Sequence, residues 1–168
     1  MIQEAQDLLA TTLAASTTFR TFVGAADPSG ALERIYHDYI PEPAGEVYTP
    51  DELSDIRPCA MIYTLPANGF EWTKDAASGG HNCWTGSGRL VCVLMRDFPT
   101  DMDASEADVD FREIAGDILA DIRDLAETGG YLAATKFSGS GPFRTLPEEL
   151  SEIGDRQAFE LYIDWGNR

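Results

Sequence analysis

Two histidines, three cysteines and many carboxylates are the residues through which this chain could do chemistry. His37 stands beside Asp38, the local pattern of a base and its orienter, but neighbours along a strand point to opposite faces. His81, Cys83 and Cys92 could hold a metal only with a fourth ligand and a fixed geometry. At the tip of a hairpin, the first two read better as solvated side chains. Asp101-x-Asp103-x-Ser105 begins like a calcium loop and then breaks the pattern. Glu106 stands where glycine is needed, and Arg112 where the bidentate glutamate belongs. A solvated acidic linker that caps a helix is the better account. The chain has no His-Glu-x-x-His, Gly-x-x-x-x-Gly-Lys, Gly-x-Gly-x-x-Gly or Gly-x-Ser-x-Gly. No catalytic residue, cofactor or metal is therefore expected. The competing possibility is a small cytosolic enzyme or ligand-binding domain with a pocket near His37 or His81. Phe70, Trp72 and Trp84 either cover a sheet or form an aromatic contact surface, since tryptophan anchors protein interfaces.

These residues have to be positioned by a core, and its best candidate centre is Gly88 to Phe98. Leu90 to Met95 is the longest unbroken apolar run. Val91, Val93 and Met95 project one way from an extended chain, and Leu90, Cys92 and Leu94 the other. Such a segment is expected to be a strand covered on both faces. Ile56 to Leu65 is a second strand, with Pro58 at its start or on a sheet edge because proline donates no hydrogen bond. Pro66 to Ser87 reads as a long hairpin. Phe70 and Trp72 lie on the outgoing arm, Trp84 on the returning arm, and 75–82 form the tip. Ala158 to Trp165 alternates as a half-buried strand, with Phe159, Leu161 and Ile163 inward and Glu160, Tyr162 and Asp164 outward.

The helices are legible by period. Ile2 to Ala15 carries Ala5, Leu8, Leu9, Thr12 and Leu13 at helical spacing. Ser16 is placed to cap a short turn with Phe19, Phe22 and Val23, which Gly24 ends. Asp27-Pro28-Ser29-Gly30 is turn chemistry. Leu32 to Ile40 fits either a helix or a strand, and 51–55 fits one helical turn. After the acidic linker 101–108, Phe111, Ile114, Ala115, Ile118, Leu119, Ile122, Leu125 and Ala126 form a stripe, and Asp121 falls on the wet side. Ser138 to Pro142 reads as a mobile loop.

The order predicts one α+β domain over residues 1–168: a mainly antiparallel sheet of about four strands, helices on one face, and a long β-hairpin. The formal charge is −17, from 29 acids and 12 bases. That argues against gripping nucleic acid or anionic lipid. An odd cysteine count without Cys-x-x-Cys points to a reducing compartment. No signal-like stretch or membrane span is expected.

The order of segments also resembles a known family. A helical pair ends in Phe22-Val23-Gly24, and Arg34-Ile35-Tyr36 follows. Then come Arg57-Pro58-Cys59-Ala60-Met61-Ile62-Tyr63, Gly88-Arg89-Leu90-Val91-Cys92-Val93, the amphipathic helix, and a strand closing on Trp165-Gly166. This resembles the tail terminator (tail completion, or neck) proteins of long-tailed bacteriophages, those related to the phage lambda tail terminator. The resemblance implies a virion structural protein, assembled in the host cytoplasm and located at the head–tail junction. It implies a homohexameric ring that caps the tail tube and ends its polymerisation. Its partners would be further copies of itself, the major tail tube protein and the head connector or stopper protein. DNA would pass through the lumen unbound, and the acidity would keep it from sticking. Another head–tail connector component is the nearest variant. Expected contact residues are Pro58, on an edge strand; Phe70, Trp72 and Trp84 of the hairpin; and Pro142, Phe143 and Arg144.

Overall fold

The longest strand organises the molecule. In the computed structural model, which describes residues 2–45, 48–64, 71–75, 83–128, 138–139 and 156–167, this is β4 (Cys83–Asp97). The closing strand β6 (Arg156–Asn167) runs antiparallel along one side of it, with Leu90 opposite Ile163. On the other side β2 (Cys59–Thr64) pairs antiparallel with Leu90 to Met95. Further along that side, β3 (Glu71–Asp75) pairs antiparallel with Cys83 to Ser87. Two short strands finish the sheet: β1 (Ile35–His37), parallel to β2, and β5 (Ser138–Gly139), antiparallel to β6. The order is β1-β2-β4-β6-β5, with β3 beside β4.

The class is α+β and the sheet mainly antiparallel, as the residue pattern predicts, with six strands among the described residues where about four were expected. The added strands β1 and β5 have three and two residues, too short for an alternating pattern to show. Ser138 and Gly139, expected in a loop, are strand residues because β6 offers them an edge. β2 is not an edge strand: β1 and β4 flank it. Pro58 precedes the ladder by one residue, so its missing N–H costs the sheet nothing.

Among the described residues, five helices accompany the sheet. They are α1 (Ile2–Ala15), α2 (Thr17–Val23), α3 (Pro28–Leu32), α4 (Pro50–Ile56) and α5 (Ala104–Thr128). Leu32 to Ile40 therefore splits, ending one helix and forming one strand. The Asp27 side chain accepts the Gly30 amide at 2.8 Å, with Pro28 at the first helical position. The same side-chain contact that makes a turn here starts a helix. α4 opens on a capping box between Thr49 and Glu52. α5 starts at Ala104, inside the acidic linker. Asp103 Oδ1 accepts the amides of Ser105 and Glu106 at 2.8 and 2.9 Å, and Glu106 returns to the Asp103 amide at 3.3 Å. The acidic linker thus caps the helix, as expected, through Asp103 and Glu106.

The core has two sides. Leu90, Cys92 and Leu94 join Ala60, Ile62, Phe159, Leu161 and Ile163 under α1, α2, α3 and α5. Leu9, Leu13, Phe19, Phe111, Ile118 and Ile122 reach this layer from the helices and are fully buried. Each large side chain so buried contributes about 1.5–3 kcal/mol. On the reverse face Val91, Val93 and Met95 cluster with Cys59 and Met61, and Ile56 of α4 packs against them. All six residues from Leu90 to Met95 are 0% exposed, as a strand apolar on both faces requires.

Candidate functional site

The residues expected to make contacts fall in different parts of the chain. Pro58 is partly exposed, follows a cis peptide bond, and sits just before β2. Trp72 lies in β3 opposite Gly86, and Trp84 in β4 opposite Lys74, so the two arms pair as a hairpin requires. Of the tip expected over 75–82, Asp75 is a β3 residue and 76–82, with His81, lie outside the described residues, as do Phe70, Pro142, Phe143 and Arg144.

Pro58 belongs to a groove that sequence reading did not find. Phe22 and three threonines of α2, Thr17, Thr18 and Thr21, line it. Ile114 of α5, Pro58 and Arg96 complete the lining. The groove encloses about 480 Å3, within the size range of small-molecule sites. Its polar groups are committed elsewhere. Arg96 Nε donates to Gln157 Oε1 at 2.9 Å, Nη1 to Asp110 Oδ2 at 2.7 Å, and Nη2 to the Ala107 carbonyl at 2.9 Å. Its guanidinium lies 4.6 Å from the centre of the Phe111 ring, on which Phe22 also stacks at 5.6 Å. Thr21 donates to the Thr17 carbonyl, and the Thr17 hydroxyl accepts from Arg20.

Asp121, expected in solvent, turns back beside this groove. It accepts from Ser16 Oγ at 2.7 Å and from the Thr18 amide at 3.2 Å, while Ser16 Oγ accepts the Phe19 amide at 3.0 Å. The start of α2 is thus capped twice, once from the distant helix α5. Partial burial pushes the Asp121 carboxyl upward, but the hydrogen bonds from Ser16 and Thr18 outweigh it and hold the group below its usual 3.8.

A polar network crosses the reverse face. Glu160 is 7% exposed, not outward in water as the alternation implies. It accepts from the Tyr162 hydroxyl at 2.7 Å and from Tyr63 at 3.4 Å. Glu160 lies opposite Val93 of β4, and the phenols supply the donors that a buried carboxylate needs. Burial first, then Glu160 and Tyr162, pushes the Tyr63 phenol up to about 12. Arg89 grips Asp164 through Nε at 2.6 Å and Nη2 at 3.2 Å, with its guanidinium 5.9 Å from the Tyr162 ring centre. Nearby in sequence to β2, Arg57 is also buried. Its Nη2 meets Asp97 Oδ1 at 2.8 Å, and Nε and Nη1 have no hydrogen-bond partner among the described residues.

His37 does not work with Asp38. Asp38 takes a left-handed φ of 64° and accepts from Gln6 at 3.0 Å. The His37 ring instead lies 3.8 Å from Asp7 and 3.5 Å from Gln3, both on α1. Among the described residues no hydroxyl or thiol bonds to it, and no three metal-ligating side chains gather. Burial, then the neighbouring Cys59, pushes the Cys92 thiol up to about 12. A thiol so placed is not a nucleophile at neutral pH. No family profile and no curated protein matches this chain. Among the described residues, no helix is long and apolar enough to cross a membrane.

Proposed function

We propose that this protein is a phage virion component that forms a ring at the end of the tail tube, stops its growth and presents the head–tail joining surface. The reading is carried by the order of elements. A helical pair, a short strand, a strand led by Arg57-Pro58, the long β4, the amphipathic α5 and a closing strand occur in the order that the resemblance to tail terminators implies, with α3, α4, β3 and β5 interspersed. The formal charge of −17 supports it further. An acidic lumen would repel phosphate and let DNA slide. The ring closes through a heterologous interface, and neither chemistry nor cofactor is involved.

Gel filtration with light scattering, alone and with purified tail tubes, tests the reading. A ring-sized oligomer, a hexamer in this proposal, is expected at least once tube ends are present. A chain that remains monomeric and ignores tube ends overturns it. Neighbouring genes for a tail tube protein and a tape measure would support it independently. The size of the groove lined by α2 and Ile114 is the one observation behind a second reading, a small-molecule binding domain. A monomer whose melting temperature rises with a small ligand, and is indifferent to tubes, would support that instead.

A further inference from the structure

No further inference is drawn: the strongest candidate, the groove between α2 and α5 bordered by Thr17, Thr18, Thr21, Phe22, Pro58 and Arg96, carries nothing because its arginine and threonine hydroxyls are engaged within the chain and nothing in the structure shows what covers it.

Discussion

Ser16 and Asp121 show how much one polar contact decides. The hydroxyl caps α2 and donates to a carboxylate 105 positions away in sequence. Ser16→Ala should cost about 0.5–2 kcal/mol, the usual range for a lost N-cap, read as a lower denaturant midpoint. The contribution of Asp121 should depend on pH. Its folded-state pKa lies below the ordinary value near 3.8, so its stabilisation is complete above that value and fades as pH falls through the lower, folded one. The stability gap between wild type and Asp121→Asn should therefore be flat at neutral pH and shrink below about pH 4. A gap that is unchanged there would refute the cap. Gly116 is a different kind of residue. It is exposed inside α5, and a Cβ built on it meets nothing within 4 Å. Gly116→Ala should raise stability by about 0.8–1.0 kcal/mol through helix propensity. A lower melting temperature would mean the space is not open.

At the scale of elements, Arg96 ties three parts together. From β4 it reaches Gln157 on β6 and both Asp110 and the Ala107 carbonyl on α5, while covering Phe111. Arg96→Ala should cost at least about 1.5–3 kcal/mol, the range for a hydrogen bond to a charged group. Arg96→Lys should recover only part, because an ammonium cannot reproduce the planar fork. Full recovery in urea unfolding would show that charge alone matters. Several elements are legible in the residue pattern alone. α1 spans the residues its period marks out, and Ser16 and Gly24 bound α2, with Gly24 at φ 70°. The two apolar faces of β4 fall to the two core clusters as alternation requires. Glu160 and Asp121 were misplaced because local alternation cannot see a tyrosine on β2 or a helix end packed across the core.

For the molecule as a whole, the pairing of β3 with the first residues of β4 gives a place to test the proposed assembly. Replacing 76–82 with Asn-Gly suits a two-residue hairpin, since Asp75 already pairs with Cys83. If the hairpin serves joining, this change should leave the melting temperature nearly unaltered and reduce the yield of joined particles in a tail-completion assay. A large loss of melting temperature with joining intact would make it a stability element.

The residue pattern by itself determined the local facts. Hydrophobic period, capping residues and glycine stops specify helices and long strands, because those signals lie within a few positions of one another. Only the tertiary structure decided that β2 is interior, that β1 joins it in parallel, and that Asp121 and Glu160 are held by distant hydroxyls. Sheet neighbours and long-range hydrogen bonds are chosen by the whole packed chain. A strand of two or three residues, or one carboxylate on a polar face, is too short a message to announce its partner.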